Sequence, residues 1–226
     1  RGERVAVTVA ADPKAVRRRG QDVKEGDVGL VAGRRLNAAA IALAAAMGHG
    51  ELTVARPPRV ALLTSGDEVV APGGSLRPGD VFDANGPALA ALLRAAGAHV
   101  VPLTTVPDAA GALEATLAGA GDVDLFLTSG GISMGRYDRI RDLLEARATV
   151  RFRKVLLKPG GPATFAHLGG LPWLALPGNP VSSTVTFLLL ARAWLDAALG
   201  RAPQGPFEQS IPAIATAPLA SAGRKT

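Results

Sequence analysis

The run Val123-Asp124-Leu125-Phe126-Leu127-Thr128-Ser129-Gly130-Gly131-Ile132-Ser133-Met134-Gly135-Arg136-Tyr137-Asp138 governs the reading of the whole chain. Its apolar part has the length of a buried strand, it ends in hydroxyls and paired glycines, and Asp138 then opens the helical pattern Arg139 to Ala146. Paired glycines let the backbone turn sharply and present N–H groups, and the helix behind them adds its positive end. A phosphate-bearing ligand suits such a turn. Strand, glycine turn and helix is also the ordinary connection of an α/β fold, so its meaning depends on the segments around it. Three stand out: Thr64-Ser65-Gly66-Asp67-Glu68, Lys154 to Pro162, and Leu176-Pro177-Gly178-Asn179-Pro180-Val181-Ser182-Ser183.

From Arg59 onward the pattern alternates: strand 59–64, helix 86–96, strand 98–104, helix 109–118, strand 123–128 and helix 139–146. Strands alternating with helices predict an α/β fold, a mostly parallel sheet with helices on both faces. Ligands in such sheets bind at the carboxyl ends of the strands, where both Gly66 and the pair Gly130-Gly131 fall. Strand-like runs follow at 150–157, 163–167 and 172–176, then an apolar helix from Val181 to about Leu199, closed by Gly200. Upstream, Arg4 to Ala10 alternates like a strand, Asn37 caps an alanine-rich helix from Ala38 to Met47, and Arg56-Pro57-Pro58 is the clearest linker. The expected domains are a remnant of a β-rich domain at 1–26, a helix-containing connection at 27–57, the α/β domain at 58–200, and the start of a C-terminal β domain at 201–226. These partial β-rich flanks, the missing initial Met and the polar end Ser221 to Thr226 read as a fragment of a longer protein.

Composition narrows the chemistry. The 226 residues contain no cysteine and only His49, His99 and His167, which excludes disulfides and thiolate metal sites and leaves carboxylates for any metal. No apolar run reaches the roughly 20 residues of a bilayer-spanning helix, so a cytoplasmic protein without a membrane partner is expected. The net charge of +6 is carried by scattered arginines without interleaved aromatics, which points to an anionic small substrate rather than nucleic acid.

Asp67 and Glu68 follow a strand, where paired carboxylates hold Mg²⁺ or move a proton; a solvated turn is the plainer reading. Asp108 and Asp138 each precede a helix and serve equally as N-caps. Lys154 and Lys158 lie four apart in a strand-like stretch, so both leave one face and can grip an oxyanion, unless they simply line a solvated edge. Asn179 and Pro180 open a helix whose first turn, with Ser182 and Ser183, offers free N–H groups as a second anion site.

In order along the chain, Arg17 to Asp22, Thr64 to Glu68, Asp83-Ala84-Asn85, Asp108, Ser129 to Asp138, Lys154 to Pro162 and Pro177 to Ser183 resemble the molybdopterin molybdenumtransferase family, the MoeA and gephyrin E-domain type. That resemblance implies a homodimer that inserts molybdenum from molybdate into adenylylated molybdopterin with Mg²⁺ and releases AMP. It implies catalytic roles for Asp22, Glu68, Asp108, Asp138, Lys154 and Lys158, with Glu68 and Asp138 on the metal. Substrate contacts are implied for Thr64, Gly66, Asp67, Asp83, Asn85, Ser129, Gly130, Gly131, Ser133, Pro177, Gly178, Asn179 and Ser182. A MogA-type adenylyltransferase is the implied partner. Two departures stand out: Gly161 replaces the lysine usual in Pro-Gly-Lys-Pro, and Ser65 widens Thr-Gly-Asp-Glu. Competing readings are a MogA-like adenylyltransferase on the same fold, against which the extra residues 1–57 and 201–226 argue, and a scaffold module. Both lysines and the carboxylates argue against loss of chemistry.

Overall fold

The computed structural model describes residues 2, 4–6, 8–10, 12–103, 112–131 and 139–202. Chain contacts divide it into two units, Arg1–Val54 and Ala55–Thr226. In the first unit, α1 (Ala38–Ala46) begins at Asn37, whose side-chain oxygen accepts from the Ala40 amide at 2.9 Å. Only Ala40 and Ala44 of this helix are buried, and Ile41 is exposed. Arg4 to Ala10 forms no strand among its described residues; alternation alone, without an apolar partner face, does not make one.

The second unit is built on β1 (Arg59–Thr64), β4 (His99–Pro102), β5 (Leu125–Ser129), β6 (Ala148–Phe152), β7 (Thr164–Leu168) and β8 (Leu171–Leu176), in the order β4-β1-β5-β8-β7-β6. β4, β1, β5 and β8 run parallel, and β7 is antiparallel to both its neighbours. The mostly parallel sheet expected from the sequence is therefore present, with an antiparallel β6-β7-β8 edge. A short parallel pair, β2 (Val69–Val70) and β3 (Val81–Phe82), fills the excursion before α2 (Asn85–Ala96).

Each central strand is buried on both faces, and its residues alternate between two cores. Val60 and Leu62 of β1, Leu125 and Leu127 of β5, and Leu174 and Leu176 of β8 pack under α2 and the long helix Pro180–Ala198, against Leu89, Leu93, Phe187 and Leu195. Ala61, Leu63, Phe126, Trp173 and Ala175 face the other way, toward α3 (Ala112–Ala118) and α4 (Arg139–Arg147), meeting Leu113, Ile140 and Leu144. Phe126 and Trp173 touch with ring centroids 5.1 Å apart, and Trp173 Nε1 donates to buried Thr128 at 3.1 Å. The helix after β1 and the helix after β5 thus lie on opposite faces.

The 19-residue helix Pro180–Ala198 is long and apolar enough to cross a bilayer, yet Phe187, Ala191 and Leu195 are buried against the sheet. It runs as α5 (Pro180–Thr186), a π-helical turn (Phe187–Ala191) and α6 (Arg192–Ala198). Thr186 Oγ1 donates back to Ser182 O and Ser183 O at 2.7 and 3.1 Å, a bonding pattern that bends helices just where the wider turn begins. Asp196, 1% exposed, is held by Arg192 at 3.0 Å and Arg201 at 3.2 Å.

The amino end of the sheet is stapled by Asp124. Its carboxylate accepts from Arg56 Nη2 and from the Arg59 amide, each at 2.7 Å. Burial raises its pKa, but the bonds from Arg56 and Arg59 outweigh that and leave it below the ordinary aspartate range. A lowered folded-state value means the stabilisation is complete above the unfolded pKa near about 3.9 and disappears as pH falls through the folded-state value. Asp124→Ala is expected to cost about 1–3 kcal/mol at pH 7 and markedly less once pH has fallen through the lowered folded-state value, measured as denaturant midpoints.

One expected strand stops short in this unit. The segment 153–158 leaves the sheet at Phe152 and forms an irregular loop, so Lys154 and Lys158 are not placed on one face by strand alternation. The turn residues Pro159-Gly160-Gly161-Pro162 win over the apolar run before them.

Candidate functional site

β1 leads through α2 to β4 on one side, whereas β5 leads away on the other, so the sheet order reverses between the carboxyl ends of β1 and β5. A crevice at that point is where ligands bind in open α/β sheets. Thr64 and Ser129 are register partners there. The carboxyl ends of β8 and β6 point to the same rim, because β7 reverses between them. The loops bearing Glu68, Gly130-Gly131, Lys154 to Pro162 and Pro177 to Ser183 therefore all leave one edge of the sheet.

Gly130 and Gly131 have φ of +88° and +67°, left-handed values that carry the chain off β5. A side chain on Gly130 would run into the Ser65 carbonyl, and one on Gly131 would meet Ile140 at 2.7 Å. Gly178 lies on the remaining side, where an added Cβ would stand 3.4 Å from Gly130 Cα. The Ser65 amide donates to Ser129 O at 3.0 Å and the Gly130 amide to Leu176 O at 3.1 Å. The strand-end loops of β1, β5 and β8 are thus in direct backbone contact.

Asp67 and Glu68 are exposed on the turn after Gly66. A Cβ on Gly66 would lie 3.0 Å from both Glu68 carboxylate oxygens, so the glycine leaves space that this carboxylate approaches. The Glu68 carbonyl accepts from the Val81 amide at 2.7 Å, which anchors the turn to the β2-β3 pair.

Asp83 is tied to the scaffold on both oxygens: Thr64 Oγ1 donates to Oδ2 and the Gly86 amide to Oδ1, each at 2.8 Å. It caps α2, since Ala84 at the cap position has no side-chain acceptor. Asp83→Ala is expected to destabilise the fold by about 1–3 kcal/mol, because it strands a buried hydroxyl and an orphan amide. Asp83→Asn preserves both contacts by rotating the Thr64 hydroxyl, and its thermal midpoint should stay near the parent value.

Asn85 Nδ2 donates to Ser129 Oγ at 3.0 Å and to Gly178 O at 2.7 Å. Asn179 Oδ1 accepts from the Val181 and Ser182 amides at 3.1 and 3.2 Å, and the Ser183 amide bonds to Asn179 O at 2.8 Å. The N–H groups expected to be free in this first turn are consumed by the cap, so the turn does not supply a second anion site through them.

Lys154 and Lys158 are both exposed on the loop after β6. That loop is closed by Val155 N to Gly161 O at 2.9 Å, and Gly160, at φ +118°, packs closely on Thr186 and Leu157. Asp22 belongs to the first unit, where it pairs with Arg17 at 3.0 Å. Asp108, Ser133 and Asp138 lie outside the described residues. Sequence reasoning misses Ser65, whose carbonyl abuts Gly130, and Trp173, which holds Thr128 from the core; no periodicity marks a backbone carbonyl.

These features define a class: an α/β domain whose glycine turns, carboxylate turn and lysine loop all leave one rim of the sheet, the first two at its switch point. Residues 61–197 match the family described as "Probable molybdopterin binding domain". The chain belongs to that molybdopterin-binding family, in agreement with the molybdenumtransferase-type motifs in its sequence. It is 38% identical over 225 residues to Molybdopterin molybdenumtransferase 2 of Mycobacterium tuberculosis, covering 96% of this chain and 55% of the relative. Against Molybdopterin molybdenumtransferase of Haemophilus influenzae it is 38% identical over 178 residues, covering 78% of this chain and 44% of the relative. A crystal structure of the molybdopterin biosynthesis MoeA protein from Pyrococcus horikoshii superimposes with a TM-score of 0.72 at 32% identity, over 80% of this chain and 46% of that one. The chain spans about half the length of the curated relatives it matches.

Proposed function

We propose that this chain carries the active-site domain of a molybdopterin molybdenumtransferase, which inserts molybdenum from molybdate into adenylylated molybdopterin and releases AMP. The observation that carries the reading is the convergence of the Glu68 turn, the Gly130-Gly131 turn and the lysine loop on one rim, together with relatives named for this transfer.

The glycine turns bring backbone close to a phosphate-bearing ligand and leave no side chain in its way. Lys154 and Lys158 supply compact positive charges for molybdate, a tetrahedral dianion. Gly161 in place of a lysine removes one cation from that loop, which predicts weaker molybdate binding than in relatives that keep it.

Mg²⁺ fits the donor set, because it keeps several waters and takes only one or two carboxylates, and Glu68 presents an exposed carboxylate over the open side of Gly66. Among the described residues no group of three metal-ligating side chains exists, so a cation would rely on substrate phosphate and water as well. Glu68 and Asp138 are the residues proposed to hold it. When bound, it offsets the phosphate charge and stabilises the departing AMP. The protein contributes position and electrostatics, while the metal–sulfur bonds form between the substrates.

A homodimer, a MogA-type adenylyltransferase supplying the activated substrate, and action in the cytoplasm complete the proposal. The apolar α1, with Ile41 exposed, supports the dimer. The decisive assay supplies adenylylated molybdopterin with and without molybdate and follows AMP. Molybdate-dependent AMP release is expected; adenylylation of molybdopterin from ATP by this protein alone would instead favour the adenylyltransferase reading.

A further inference from the structure

Ser129 ends β5 directly before the glycine turn and is 1% exposed. Its hydroxyl has three partners: Asn85 Nδ2 at 3.0 Å, Pro177 O at 3.2 Å and Ser183 Oγ at 3.2 Å. A hydroxyl offers one proton and two lone pairs. Pro177 O only accepts, so the proton goes to it. Asn85 fills one lone pair, and Ser183, itself 1% exposed, donates to the other. Every bonding position of Ser129 is then taken by protein. A ligand oxygen reaching this hydroxyl would have to break one of these bonds and leave a buried polar group unpaired, which costs about as much as the new hydrogen bond would contribute.

The same bonds join three chain segments: the start of α2 through Asn85, the end of β5, and the β8-to-helix connection through Pro177, Gly178 and Ser183. Two of those segments, the end of β5 and the β8-to-helix connection, are in backbone contact at Gly130, and Asn85 ties the start of α2 to both through its side chain. The geometry points to Ser129 as a positioning residue: its sealed hydroxyl, with Ser183, sets the Gly130-Gly131 turn for the phosphate-bearing ligand and does not touch that ligand. This inference rests on the molybdopterin reading above only for the identity of the ligand.

The test compares Ser129→Ala, Ser183→Ala and the double variant in the full chain. Amide exchange at Gly130, followed by NMR without ligand, is expected to quicken in both single variants while strands β1 and β4 keep their protection. Molybdopterin affinity, read from pterin fluorescence, is expected to fall about tenfold in each single variant and by about the same factor in the double, since both act through one network. Ser183 cannot reach a ligand, so its equal effect is the signature of positioning. Unchanged Gly130 exchange in both single variants, or affinity lost in Ser129→Ala but kept in Ser183→Ala, would overturn the inference. If the parent chain binds no molybdopterin, the functional reading falls, and the exchange comparison alone still decides the role of Ser129. Asn85→Ala, which enters the network from the partly buried side, gives the same exchange readout if a buried serine variant fails to fold.

Discussion

Gly130→Ala is expected to destabilise the domain by more than about 2 kcal/mol and to abolish molybdopterin binding. Two costs add at this position. The backbone stands at φ +88°, a conformation that side chains adopt only under strain, and the new methyl would drive into the Ser65 carbonyl. Neither obstacle is a flexible side-chain end. Ser65 is held by its amide bond to Ser129 O at 3.0 Å, and Gly130 itself by its amide bond to Leu176 O at 3.1 Å. Relief therefore requires the loops after β1 and β5 to separate, which opens the switch-point crevice. Gly121 provides the control: its φ is +67°, but nothing lies within 4 Å of an added Cβ. Gly121→Ala should cost only about 1 kcal/mol of conformational strain and leave binding intact. Denaturant midpoints and pterin fluorescence on the two variants check the contrast; a Gly130→Ala protein that folds and binds like the parent would remove the close-approach argument.

The centre of the sheet is legible in the sequence because its central strands are buried on both faces and bounded by glycine and proline. Leu125 to Ser129 and Arg59 to Thr64 are short apolar runs ending in hydroxyl and glycine, a pattern with few alternatives. The rim is legible for the same reason: in a parallel sheet, sequence order after a strand is position at its carboxyl end. The lysine loop reads as a strand because Val155-Leu156-Leu157 is apolar, whereas Leu156 is fully exposed and the chain is turning back through Gly160 and Gly161. Periodicity cannot report a reversal that is set by the next four residues. The roles of individual polar groups are least legible. Asn179 reads both as a cap and as the entrance to an anion site, and only hydrogen-bond geometry shows that capping consumes the amides. Ser129 and Asp83 belong to the same case: a hydroxyl or carboxylate at a strand end looks the same in a sequence whether it faces a ligand or the scaffold.

Glu68→Gln separates these two possibilities for the carboxylate turn. The side chain is exposed, and the bond that anchors the turn uses the Glu68 backbone carbonyl, which accepts from Val81 at 2.7 Å. Glutamine keeps the size, the backbone bond and the approach to Gly66, and deletes only the charge. Stability is thus expected to stay within about 0.5 kcal/mol of the parent, the usual range for an exposed substitution. Activity is expected to behave differently. A carboxylate that helps hold Mg²⁺ against a substrate phosphate contributes several kcal/mol to stabilising the leaving AMP, so molybdate-dependent AMP release should fall by about 100-fold or more. Raising Mg²⁺ should recover part of the lost rate in Glu68→Gln, because a weakened site is refilled by mass action. A variant that releases AMP at the parent rate across the whole Mg²⁺ range would leave Glu68 as a solvated turn residue and move the metal to other carboxylates.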